Sequence, residues 1–146
     1  MSAAPSTDPP QPEAGARPDE GALHGKRVLV VDDEPAIREC LAFLLGRHGI
    51  DVACAADGDA ALAAIRARPP DLVILDVVMP GTDGHQVCRA VRADPATARM
   101  PVIMLSARDG EAERRKGLAM GADDYVTKPF STGNLLRRVE ARLVAE

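Results

Sequence analysis

Short runs of Val, Ile and Leu recur along this chain, separated by stretches in which apolar residues return every three or four positions. The runs predict strands over Arg27–Asp32, Asp51–Ala55, Asp71–Asp76, Pro101–Ser106 and Asp124–Thr127. Between and after them lie five helical patterns. The first carries Ile37, Leu41, Leu44 and Leu45, with Gly49 just beyond its end. The second carries Ala60, Ala61, Ala64 and Ile65 and is stopped by Arg68-Pro69-Pro70. The third uses Val87, Cys88 and Val91, the fourth Leu118 and Ala119, and the fifth Leu135, Leu136, Val139 and Leu143. Regular alternation of strand and helix predicts an α/β domain, a doubly wound (βα)5 parallel sheet with right-handed crossovers. Strands that are apolar throughout, rather than alternating, fit a sheet covered on both faces.

Composition narrows this picture. The chain has 146 residues, which suits a single domain, and with 2% aromatic residues its core must be aliphatic. The stretch from Met1 to about Gly25 is rich in Pro, Ala and acids and carries a net charge of −3. Too little of it is apolar to offset the entropy of ordering, so residues 1–25 are expected to be a disordered tail and 26–146 the folded domain. The domain is almost neutral and has no basic stripe, which argues against a nucleic-acid partner. No apolar run reaches the roughly 20 residues that span a bilayer, and no secretory signal pattern opens the chain, so no membrane partner is expected. Cys40, Cys54 and Cys88 are odd in number and lack CxxC spacing. They read as reduced, mostly buried thiols of a cytoplasmic protein. His24, His48 and His85 show no ligand spacing and read as surface residues.

The chemistry gathers at the strand ends. Asp32-Asp33 closes the first run, Asp76 the third, Ser106 the fourth, and Lys128 follows the fifth. In an open parallel sheet the carboxyl ends form one rim, where ligands bind. Three acids crowded there call for a cation. A carboxylate can attack phosphorus to form an aspartyl phosphate, provided a divalent ion and donors for the phosphoryl oxygens stand by. Asp76 is the candidate nucleophile, and Asp33 with Asp32 the candidate holders of Mg²⁺, a hard cation that takes oxygen ligands. Lys128 and Ser106 are candidate donors to the phosphoryl oxygens.

Four segments, VLVVDDEP, ILDVVMPGTDG, VIMLSAR and GADDYVTKPF, stand in an order and spacing that strongly resemble the receiver domain of two-component response regulators. The resemblance covers about Lys26 to Val144. It implies the flavodoxin-like, CheY-like strand order 2-1-3-4-5 and phosphorylation at Asp76. It further implies metal ligation by Asp33, Asp76 and the backbone carbonyl of Val78, with Asp32 acting mainly through water. Ser106 and Tyr125 resemble the switch pair, and the Lys128-Pro129 bond is expected to be cis. Val78 and Arg108 occupy the positions that flank the hydrolytic water's path, where other members carry Asn and Glu. An apolar and a bulky basic residue there predict slow self-dephosphorylation. Arg114, Asp123, Asp124 and Arg138 match charged positions of a dimer face formed by the fourth and fifth helices and the last strand. Asn134 and Ala145 depart from that pattern.

The expected function is a stand-alone phosphoacceptor with Mg²⁺ as cofactor. It would be charged by a sensor histidine kinase or histidine phosphotransfer protein and would act on a downstream target protein or through a phosphorylation-linked homodimer. It would catalyse nothing beyond its own phosphorylation and dephosphorylation. One alternative is the N-terminal receiver fragment of a longer regulator with a DNA-binding or enzymatic output. A small α/β phosphatase would also use a strand-end aspartate, but would want an acid where Val78 stands. A nucleotide-binding reading lacks both GxxxxGK[ST] and GxGxxG.

Overall fold

The computed structural model describes residues 23–108 and 110–144. Its strands are β1 (Arg27–Val31), β2 (Asp51–Ala55), β3 (Leu72–Asp76), β4 (Val102–Ser106) and β5 (Asp124–Thr127). Its helices are α1 (Pro35–Gly46), α2 (Gly58–Ala67), α3 (Gly84–Ala93), α4 (Glu111–Ala119) and α5 (Thr132–Val144). The strands form one parallel sheet in the order β2-β1-β3-β4-β5, as the resemblance implied.

Alternation along each strand sends neighbours to opposite faces. Leu29, Val31, Val73, Leu75, Val102 and Met104 pack with Ile65 of α2 and Val87, Cys88 and Val91 of α3. Val28, Val30, Ile74, Ile103 and Leu105 pack with Leu41 and Leu45 of α1 and with Leu135, Val139 and Leu143 of α5. The helix starts are chemically marked. Asp57 caps α2 by accepting the Ala60 N–H at 2.8 Å. Asp83 and Gln86 form a reciprocal capping box at α3, with both bonds at 2.9 Å. Pro35 opens α1, where its missing N–H costs nothing.

Several expectations needed correction. The ordered packing starts before Lys26: Leu23 is fully buried in the α1/α5 layer, and the Gly25 N–H donates to Gly49 O at 2.9 Å. A single leucine adjoining a polar tail was enough to be drawn into that core. The remaining part of the expected disordered tail, residues 1–22, lies outside the described residues, as does Ala145. β2 is covered incompletely because it is the edge strand, so Asp51, Ala53 and Cys54 are exposed. Cys40 is exposed as well, leaving Cys88 as the buried thiol. His85 is buried rather than superficial, because it sits in the first turn of α3 where that helix meets the sheet.

Candidate functional site

The strand register brings the sequence-predicted residues together. Val31 of β1 stands opposite Leu75 of β3, Asp76 opposite Leu105, and Ser106 opposite Thr127. The residues that end or follow these strands therefore share one rim. Backbone bonds extend the ladder into the loops: Asp32 N–H to Ala55 O at 3.1 Å, Val77 N–H to Leu105 O at 2.9 Å, and Lys128 N–H to Ser106 O at 2.7 Å.

Asp32, Asp33 and Asp76 each present a carboxylate oxygen to one cluster, with these oxygens all within 4.8 Å of one another. Asp32 is fully buried and Asp76 nearly so, while Asp33 faces solvent. Lys128 Nζ lies 2.8 Å from Asp32 Oδ2, 3.0 Å from Glu34 Oε1 and 3.6 Å from Asp76 Oδ1. One ammonium thus serves three nearby acids. Burial pushes the Asp76 carboxyl up from 3.8 to about 6, and the charge of Asp32 adds to the effect. Lys128 and the Val78 N–H pull against it, the latter at 3.4 Å from Asp76 Oδ1. Burial works against the charge of Lys128, but its bonds to Asp32 and Glu34 outweigh this and raise its pKa.

The donor set fits a hard divalent cation. Asp32 Oδ1 accepts the Glu34 N–H at 2.9 Å, and Lys128 Nζ at 2.8 Å is the partner of the buried Oδ2. Clustered carboxylate oxygens with spare acceptor capacity match the ligand preference of Mg²⁺.

Matching of the response regulator receiver domain family to residues 28–140 covers most of the chain, including every one of these positions. The chain belongs to the response regulator receiver domains. Solved relatives agree. A Chloroflexus aurantiacus chain assigned to the response regulators is 38% identical, with a TM-score of 0.79, over 82% of this chain and 98% of that one. The receiver domain of Francisella response regulator 1452 is 36% identical, with a TM-score of 0.77, over 82% and 97% of the two chains. Chemotaxis protein CheY4 of Vibrio cholerae is 34% identical, with a TM-score of 0.74, over 79% and 96%. This chain is therefore a receiver domain of two-component signalling, and receiver domains are signalling modules. Among its described residues no helix is long and apolar enough to cross a membrane.

The receiver's remaining predicted residues also have definite places. Ser106 is fully buried, and its Oγ accepts the Arg108 N–H at 3.0 Å. Tyr125 is turned inward, 4% exposed, with its hydroxyl donating to Arg108 O at 2.9 Å. Both switch candidates are thus tied to the backbone of one β4–α4 loop residue. The Lys128-Pro129 bond is cis, as the resemblance implied. Val78 is 48% exposed at the mouth. The Arg108 side chain leans toward Glu113 of α4, with Nη1 3.9 Å from its carboxylate. Val78 and Arg108 share with Met79, His85 and Lys116 the lining of a cavity of about 200 Å³ beside the acidic pocket. At the proposed dimer face, Asp124 is paired within the chain, to Arg138 at 3.0 Å and Arg142 at 2.8 Å. Asp123 is held by Arg92 at 3.1 Å, and Arg114 reaches Tyr125 O at 3.5 Å.

Three positions with a part in the site were missed from sequence. Glu34, the exposed third partner of Lys128, lies within VLVVDDEP directly after the acidic pair, where nothing local marks its contact with a distant lysine. A Cβ on Gly84 would press on Asp76 O and lie 2.8 Å from Val77 Cα, so only glycine lets α3 start against the acceptor loop. A Cβ on Gly117 would lie 2.7 Å from Tyr125 Cδ2. A glycine within an expected helix, one residue before the apolar Leu118, was the available signal for that close approach.

Proposed function

We propose that this receiver accepts a phosphoryl group from a phosphohistidine onto Asp76, with Mg²⁺ held by Asp33, Asp76, the Val78 carbonyl and, less directly, Asp32. The observation that carries the reading is the cluster of three carboxylates with one lysine amine 2.8 Å from Asp32 and 3.6 Å from Asp76. A carboxyl with a pKa of about 6 is mostly ionised at neutral pH, so Asp76 has a free lone pair for attack. In transfer, an Asp76 oxygen forms the new bond to phosphorus as the P–N bond breaks, and the electron pair leaves with the donor imidazole. The cation, when bound, offsets the charge brought in with the phosphoryl group. Lys128 would turn from its carboxylates toward one phosphoryl oxygen, and the Ser106 hydroxyl would donate to another.

Ser106 and Tyr125 make this capture legible elsewhere. Moving the Ser106 hydroxyl toward the phosphoryl group gives up its bond from the Arg108 N–H, and Arg108 O is the acceptor that holds Tyr125 inward. The loop thus couples the pocket to the surface of α4, β5 and α5, a two-state element biased by a local charge event. A sensor histidine kinase or phosphotransfer protein supplies the group, and a target protein reads the altered face. Dimerisation through that face would have to redirect Arg138 from its own chain's Asp124. The Klebsiella pneumoniae RstA relative, 33% identical with a TM-score of 0.76 over 82% of this chain and 100% of that one, is an N-terminal receiver domain activated by BeF3. By that likeness the second reading is a receiver at the N-terminus of a longer regulator. Three free thiols, two of them exposed, are consistent with a reducing cytoplasmic setting.

The decisive experiment is transfer of labelled phosphate from a phosphorylated histidine kinase to the purified chain with Mg²⁺. Label should appear on the wild type and vanish in Asp76→Asn. Undiminished labelling of Asp76→Asn would refute the assignment.

A further inference from the structure

Glu34 takes no part in the capture chemistry, yet it makes one of the two close contacts of the ammonium that does. Lys128 Nζ lies 2.8 Å from Asp32 Oδ2 and 3.0 Å from Glu34 Oε1, against 3.6 Å from Asp76 Oδ1. Both nearer carboxylates belong to the turn between β1 and α1. That turn is braced from within: Asp32 Oδ1 accepts the Glu34 N–H at 2.9 Å, and Asp32 O accepts from Arg38 Nη1 at 2.7 Å. Glu34 stands at the N-cap of α1, but its side chain makes no capping hydrogen bond. The turn therefore presents two jaws, and Lys128 is held between them rather than on the acceptor.

The jaws differ in what release costs. The Asp32 side chain is fully buried, and a buried carboxylate stripped of its cation has no bulk water to replace it. The Glu34 side chain is 60% exposed, so water takes the place of the ammonium at little cost. When a phosphoryl oxygen draws Lys128 toward Asp76, Glu34 is the jaw that opens.

The geometry points to Glu34 as a positioning residue that acts through Lys128, an outer latch that parks the ammonium off the acceptor and sets how readily the pocket closes on a phosphoryl group. The assignment rests on Asp76 as the acceptor and deepens that reading. Its effect is a brake: each capture must break the Glu34 contact, and a chain without that carboxylate starts with Lys128 less firmly parked. An ion pair with one exposed partner weights this step about two- to fivefold.

The first measurement needs neither metal nor phosphorus. The chain has three lysines, Lys26, Lys116 and Lys128, so its ¹⁵Nζ signals are few. In EDTA the Lys128 signal should shift in Glu34→Gln and its ammonium protons should exchange about two- to fivefold faster, while Lys26 and Lys116 stay unchanged. The second measurement titrates the Mg²⁺-saturated chain with beryllofluoride, a stand-in for the phosphoryl group, followed by backbone amide signals. Glu34→Gln should bind it about two- to fivefold tighter than wild type. Glu34→Asp keeps the charge but falls one methylene short of Lys128, and should behave like the glutamine variant. Glu39→Gln removes the same charge from an exposed position of α1 and should bind as wild type does. Since the Glu34 side chain is exposed and caps nothing, these variants leave the helix start intact. An unmoved Lys128 signal, or equal or weaker binding by Glu34→Gln, overturns the latch and leaves the acceptor reading in place. Equal tightening in Glu39→Gln does the same, because it assigns the effect to net charge. A wild type that binds no beryllofluoride sinks the acceptor reading and the latch together.

Discussion

Replacing the acceptor aspartate by its neutral isostere should stabilise the metal-free receiver, although it removes the residue on which its proposed function rests. Asp76 is 3% exposed, and its pKa in the fold is raised from 3.8 to about 6. A folded-state pKa above the unfolded value means that the folded state binds the proton more tightly. The associated stability is fully present below pH 4 and is lost as pH climbs through 6. The shift of about two pH units corresponds to about 3 kcal/mol of penalty for carrying the charge at pH 7.5. Asp76→Asn removes that penalty, in which the attraction of Lys128 at 3.6 Å is already counted, while Lys128 keeps its shorter contacts to Asp32 and Glu34. A net gain of up to about 3 kcal/mol is expected. Urea unfolding in EDTA from pH 4 to pH 8 measures it: the two proteins should converge near pH 4 and separate by pH 7. Adding Mg²⁺ should then raise the wild type far more than the variant, because only the wild type keeps all three acids. An Asp76→Asn protein no more stable than wild type at pH 7.5 without metal would contradict the charge argument.

Other substitutions probe the site from its supports. Gly84→Ala should cost about 1–3 kcal/mol and weaken Mg²⁺ binding measured by titration calorimetry, because the methyl must push the Asp76–Val77 backbone aside. Gly117→Ala should expel the ring of Tyr125, the chain's only tyrosine in the absence of tryptophan. Acrylamide quenching of its fluorescence should therefore rise relative to wild type. Val78→Asn should speed phosphoryl loss about tenfold or more, since it replaces a half-exposed apolar side chain at the mouth with one that can hold water. A phosphate-release assay in which wild type already decays within seconds would remove that reasoning.

Much of the fold was written in local pattern. The runs ending at Asp76 and Ser106 became β3 and β4 with changes of one residue at their starts, and Arg68-Pro69-Pro70 ended α2 as expected. Apolar periodicity records which face of an element is covered. It does not record which elements lie at the sheet edge, so the exposure of Cys54 on β2 was not legible. The burial of His85 was hidden for a related reason, since a polar residue at a helix start reads as surface until the helix is placed against a sheet. The acids and Lys128 could be read because each follows an apolar run. Glu34 could not, because its partner is a lysine 94 residues away. Gly84 and Gly117 matter through space they leave to others, and such absences acquire meaning only once Asp76 and Tyr125 have positions.

The strand order divides the sheet's labour unequally between its two halves. The carboxylates hang from β1 and β3, the centre of the sheet, each flanked by a partner on both sides. Ser106, Tyr125 and Lys128 belong to the flank of β4 and β5, whose outer margin has no further strand to brace it. Local opening of that margin can thus proceed while the anchoring half stays shut. In hydrogen-exchange terms, amides of the edge strand β5 should trade with solvent ahead of those in β1 and β3, so the responsive residues sit closer to an open margin than the carboxylates do.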